Sequence, residues 1–181
     1  MAPAACRILA AAVLLTTLGC SESSSGSSST SASVAASTSP ASSGAPPRVD
    51  LIDDAITALE AKLGAPQQYF EINATPQLVN LFVALNDEKV VQPWVYIDGD
   101  LSSAEGHDAN GFSFARTALD FDPHKVLSRI EAELPQSKPD AFIVEGGEGG
   151  IVRYTVTVTS PQGGQLVVVV GPDGAVKSVG A

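Results

Sequence analysis

The chain has 181 residues, a length suited to about one folded domain. Lys and Arg number 10 against 20 Asp and Glu, a net charge of -10. That balance argues against nucleic acid, which is gripped by neutralising phosphate, and against a polybasic hold on anionic lipid. The apolar fraction of 44% is enough for a core, although residues 21–45 supply almost none of it.

A single positive charge, Arg7, precedes the uncharged run at residues 8–19. A bilayer-spanning helix needs about 20 residues. The run is shorter and has the size of the hydrophobic region of a secretory signal. It ends Thr17-Leu18-Gly19-Cys20.

This ending resembles the lipobox of bacterial lipoprotein precursors. There, a cysteine behind a small residue is acylated and becomes the first residue of the mature chain. The family prefers Leu three places before the cysteine and a small residue two places before it, where this chain has Thr17 and Leu18. The resemblance implies a signal peptide at 1–19, diacyl or triacyl (palmitate-type) modification of Cys20, and attachment to the extracytoplasmic side of the cell membrane. Cysteine usage agrees. The other cysteine, Cys6, falls in the segment to be removed, so the mature chain would hold one sulfur and no disulfide. An ordinary secreted protein would leave Cys20 as a stray thiol, whereas lipidation gives it a role. Acyl chains contribute about 0.8 kcal/mol per buried methylene, and stable anchoring takes two chains or more.

Residues 20–45 are the lipidation point and a tether. Positions 21–45 hold 13 serines, one charged residue (Glu22) and one large apolar residue (Val34). Such a segment cannot offset its ordering entropy. It is expected to be a flexible coil spanning about 25–30 Å, which holds the following domain clear of the headgroups. Asn73-Ala74-Thr75 matches an N-glycosylation pattern, but in a bacterial lipoprotein the match is chance.

Periodicity begins at Pro46, and residues 46–181 form the folded domain. Ile52, Ile56, Leu59 and Leu63 stand at helical spacing before Gly64 and Pro66. Strand-like runs follow at 67–73, 77–86 and 90–98, the last two joined by the short connection Asp87-Glu88-Lys89. Residues 99–111 read as a loop, and 112–119 fit no single element. The pattern then recurs. Asp122 and Pro123 open a helix with Val126, Leu127, Ile130 and Leu134 as its stripe. Strands are expected at 141–145, 151–160, 165–170 and 175–179. The halves align with Ala61-Lys62-Leu63 on Ala132-Glu133-Leu134, and Val95-Tyr96-Ile97 on Val169-Val170-Gly171. The expected fold is α+β: two helix-strand-strand-strand repeats, at about 49–100 and 122–179, form an antiparallel sheet with helices on one face. By pattern, residues 49–179 resemble tandem PepSY-like or beta-lactamase-inhibitor-like modules, which implies a helix on a meander in each half.

The wholly aliphatic set Val79, Leu81, Val83 and Leu85, with Val91, Pro93, Val95 and Ile97, is the expected core face. The opposite face then carries Phe82, Trp94 and Tyr96, with Arg153 in the second half. Mixed aromatic and polar surfaces of this kind anchor interfaces, so these four are the expected binding residues. The competing arrangement has residues 99–121 or the other repeat covering that face. Pro93 cannot donate to a ladder and marks its strand as an edge or bulge.

Four other features point to no chemistry. Asp98, Asp100, Ser102, Glu105, His107 and Asp108 form an acidic stretch, but an EF-hand loop begun at Asp98 would need Gly at Ser103 and Glu at Ala109. Gly111-Phe112-Ser113-Phe114-Ala115 is one residue from a nucleophile elbow, with Asp120, Asp122 and His124 nearby, yet that elbow needs a parallel sheet. Neither histidine suggests a metal or a base. Gly146-Gly147-Glu148-Gly149-Gly150 lacks the lysine of a phosphate cradle and reads as a hairpin turn. With neither catalytic set, cofactor pattern nor metal spacing, the expected role is a non-enzymatic, lipid-anchored envelope lipoprotein. Its partner would be an envelope protein, bound for inhibition or scaffolding. A carrier or sensor of a small apolar or lipid ligand is the alternative.

Overall fold

The computed structural model describes residues 44–180. The lipobox, Cys20 and residues 21–43 of the tether lie outside the described residues. A single 3-10 turn, Val49–Leu51, leads into helix α1 (Ile52–Leu63). Asp53 and Asp54 in its first turn and Lys62 in its last complement the helix dipole. Gly64 closes it, donating its N–H to the Glu60 carbonyl at 2.8 Å. Ile52, Ala55, Ile56 and Leu59 form one buried stripe.

Strands β1 (Gln68–Ala74), β2 (Val79–Leu85) and β3 (Val90–Ile97) follow, and β1 has a bulge at Phe70. The expected loop at 99–111 contains two more strands, β4 (Asp100–Ser103) and β5 (His107–Asp108), both paired to β3. β4 meets the second half of β3 and β5 its start. Pro93 sits where one partner gives way to the other. Its carbonyl accepts from Ala104 at 3.0 Å, so its missing N–H faces the gap in that outer edge. The undetermined stretch 112–119 resolves into β6 (Phe114–Ala115), paired to the start of β1, and a 3-10 turn, Arg116–Ala118.

Helix α2 (Pro123–Glu133) starts where Asp122 and Pro123 predict, the Asp122 carboxylate accepting from the N–H groups of His124 and Lys125. Then come β7 (Lys138–Gly146), β8 (Val152–Thr159), β9 (Gln165–Val170) and β10 (Val176–Gly180). All pairings are antiparallel, in the order β10-β9-β8-β7-β1-β2-β3-β4. The fold is α+β; the second half carries its four expected strands, and β4 gives the first half a fourth beyond the three expected, with β5 paired to β3 and β6 to β1.

The first strand of each half meets the other at the centre of the sheet. Ile72 pairs Val144, Asn73 pairs Ile143 and Ala74 pairs Phe142. The halves therefore run outward from a local pseudo-dyad at the Asn73–Ile143 pair. The register supports the alignment of the halves: Tyr96 pairs Val79, and its counterpart Val170 pairs Tyr154. Tyr69, Ile72, Leu81, Phe142, Val156 and Val168 from the sheet share one buried cluster with the stripe of α1 and with Val126 and Ile130 of α2. Both helices thus pack on one face of the sheet. Gly174, in the β9–β10 turn, brings that turn against α2. A Cβ there would stand 2.7 Å from Val126 backbone atoms, and its φ is +79°.

Candidate functional site

The hairpin register decides which residues share a face. Leu85 pairs Val90, so Leu81 pairs Trp94 and Val79 pairs Tyr96. Trp94 and Tyr96 therefore point toward the helices, at 7% and 9% exposure, and belong to the core. The Lys62 ammonium lies over the Trp94 ring, 5.3 Å from its centre. The expectation that Trp94 and Tyr96 share the open face with Phe82 is corrected. Val91, Pro93, Val95 and Ile97 lie on the face away from the helices instead. Phe82 and Arg153 are on that face as expected, in the company of Glu71, Asn80, Ile143, Thr155 and Val169.

The chain leaves β4 at the outer edge of the first half, yet β7 must start at the centre of the sheet. Residues 104–121 make that return. They run beside β3 as β5 and then reach the fork where β7 parts from β1, continuing beside β1 as β6. Two features make room at the fork. Phe70 is the bulged residue of β1. Gly146 has no Cβ where one would meet the Phe112 carbonyl carbon at 2.8 Å and its oxygen closer still. The Ser113 hydroxyl donates to Glu88 and ties the crossing to the β2–β3 turn.

Between this return path and the open face lies a groove of about 480 Å³. Phe70, Phe82, Val91 and Phe112 give it apolar walls, and Phe112 on its rim is 51% exposed. Glu71, Glu145, His107 and Asp108 also line it.

Glu71 and Glu145 stand directly opposite each other on β1 and β7. Like charges so placed on one face are destabilising. Glu145 has a partner in Arg153, at 3.4 Å. Burial, followed by the charge of Glu145, lifts the Glu71 carboxyl above the usual carboxylate range, and a hydrogen bond with Asn73 pulls the other way. The Oδ1 of Asn73 is itself buried without a partner.

A carboxyl with a raised folded-state pKa releases its proton at lower pH in the unfolded chain than in the folded one. Stability therefore falls as pH rises from the ordinary glutamate value through the raised one, and the penalty is full above it. Glu71→Gln is accordingly expected to raise the melting temperature at neutral pH by a few degrees. The gain should vanish at about pH 3, where both side chains are neutral; thermal melts at the two pH values check this.

Comparison with protein families, characterised proteins and solved structures finds no match. The lipoprotein and PepSY-like resemblances thus rest on sequence pattern alone. Among the described residues no helix is long and apolar enough to cross a membrane.

The other sequence candidates fall as follows. The acidic stretch is strung along the β3–β4 turn, β4 and β5 rather than wrapped into a loop, and no three of the described His, Asp and Glu side chains converge as metal ligands. Ser113 leads into a two-residue strand, not from a strand into a helix, and its hydroxyl is bonded to a carboxylate. His124 is exposed in the first turn of α2. Gly146 ends β7 opposite Val152, and residues 147–151 form the β7–β8 hairpin connection, with a 3-10 turn at Glu148–Gly150.

Glu71, Glu145, Phe70 and Phe112 line the groove without having been expected there from sequence pattern. The one local signal was Glu71, the single charged residue of β1. Its pairing with Glu145 depends on the register between the two halves.

Proposed function

We propose that this chain is a lipid-anchored cell-envelope lipoprotein whose α+β domain is a non-enzymatic binding module. The lipobox ending at Cys20 and the serine-rich tether support anchoring on the extracytoplasmic side of the membrane. The observation that carries the module reading is the sheet itself. Its helices pack on one face, and the other presents Phe82, Ile97, Arg153 and Val167 among threonines and asparagines. Ile97 on β3 and Val167 on β9 are 44% and 47% exposed at the two sides of that face, with Phe82 on β2 and Arg153 on β8 between them, and arginine is a frequent anchor of interfaces. Phe82 and Arg153 are the binding residues of this reading; Trp94 and Tyr96 serve the core.

The test uses whole cells carrying a photo-cross-linking residue in place of Arg153. The expected result is a single cross-linked envelope protein, identified by mass spectrometry, from protein in the membrane fraction. Cys20→Ala should move the protein to the soluble fraction and remove the acyl mass. A protein that stays in the membrane with unchanged mass defeats the anchor. Loss of any cross-link from the open face defeats the module.

The groove favours a second reading, a carrier or sensor of a small ligand. It lies on the open face, whereas the layer between sheet and helices is filled by fully buried side chains such as Tyr69, Phe142 and Leu81.

A further inference from the structure

We infer that the groove on the open face takes a small organic cation, a primary ammonium or guanidinium group on an apolar stem. This deepens the reading of the domain as a binding module and rests on it. The groove's volume of about 480 Å³ falls in the usual range of small-molecule sites, about 300–1,000 Å³. Its apolar walls are Phe70, Phe82, Val91 and Phe112, and neither Lys nor Arg lines it. The charges it offers are the Glu71 and Glu145 carboxylates, set opposite each other, and Asp108 at the rim.

Arg153 reaches Glu145 from the neighbouring strand, and Glu71 has no cation of its own among the described residues. The lining therefore sets the carboxylates of Glu71, Glu145 and Asp108 against the side-chain donors of His107 and Asn110, so acceptors and negative charge are in excess. An ammonium or guanidinium answers that excess with several N–H donors and a positive charge. Aromatic faces add cation–π attraction while the stem covers the phenylalanines. A bare metal ion suits the groove poorly, since its walls are apolar and no three ligating side chains converge among the described residues. The opposed carboxylates cost stability in the free protein, and a bound cation removes that cost, a pattern expected of functional sites.

The test is calorimetric titration of the full chain, purified in detergent, with three probes of one shape: phenethylamine, 2-phenylethanol and 3-phenylpropionate. Phenethylamine is expected to bind saturably at one site, the alcohol at least about tenfold more weakly, and the acid not at all. Glu71→Gln should weaken phenethylamine by about tenfold or more, with the fold confirmed by circular dichroism. Glu131→Gln, which removes the same charge from the exposed side of α2, should leave affinity unchanged. Equal binding of amine and alcohol, or an unchanged affinity in Glu71→Gln, overturns the assignment. So does an equal loss in Glu131→Gln, which would reduce the effect to net charge. If phenethylamine fails to bind while the cross-link from position 153 persists, the ligand class falls and the module reading stands.

Discussion

Replacing Phe142 with alanine is expected to destabilise the domain by about 3–5 kcal/mol, the cost of emptying a large, fully buried aromatic site. Phe142 is 0% exposed. Its ring stacks on Tyr154 at 6.0 Å and meets Phe121 at 5.3 Å, and Phe121 also meets Tyr154 at 5.5 Å. The residue also sits at the central seam, paired with Ala74 on one side and Val156 on the other. The small side chain of Ala74 cannot swing in to refill the space. Domains of this size are stable by about 5–15 kcal/mol in total, so the variant should lose a large part of its margin. Urea titration checks it: the midpoint should fall sharply with the slope unchanged. A loss below about 1 kcal/mol would mean that the three-ring cluster repacks, contrary to the tight centre described above.

Gly146→Ala is expected to act differently, on the groove first and on the domain second. The added Cβ would collide with the Phe112 carbonyl group, which is backbone and cannot step aside without moving the whole crossing. Overpacking of this kind costs about 1–3 kcal/mol. The relief lies in shifting residues 107–115, since that segment holds only two short strands, β5 and β6, while β7 is fixed on both sides. Hydrogen exchange should report the shift directly, with faster exchange at 107–115 and little change in β7 and β8. Phenethylamine affinity should fall along with it, because Phe112 forms the rim. Faster exchange spread evenly over the sheet would instead place Gly146 among the purely structural residues.

Much of the framework is legible from local chemistry. Helix α1 ends at Gly64 and α2 starts at Asp122 and Pro123, as their sequence signals require, and most strands fall within a residue or two of their alternating runs. The offset that matches Val95-Tyr96 to Val169-Val170 is the one the ladder uses. The face assignment failed for an identifiable reason. In β3 both sets of alternate residues are apolar enough to be core, and a preference for the aliphatic set put Trp94 and Tyr96 outside. The connection between Leu85 and Val90 held the answer. Once those two are opposed, counting four residues away from the turn on each strand puts Trp94 beside Leu81. Strands β4 and β5 were hidden because polar, acidic sequence reads as loop even when a neighbour's free edge recruits it. The Glu71–Glu145 pair was beyond reach, for it depends on a register between strands that are distant in the chain and on a bulge at Phe70 that no turn residue announces.

The pseudo-dyad gives the groove a mate on paper, and the sequence declines to build it. Carrying Glu71 and its neighbour Phe82 across the dyad lands on the opposed pair Ala141 and Thr157, and Asn73 lands on Ile143. These are small or uncharged side chains, and no returning segment passes over them among the described residues. The scaffold is doubled while the chemistry is single. The break in symmetry comes from connectivity: a chain that lays down one half from the centre outward must travel back before it can lay down the second. That obligatory detour supplies the wall of the groove, so substitutions in 104–113 can reshape recognition while leaving the doubled framework beneath it intact.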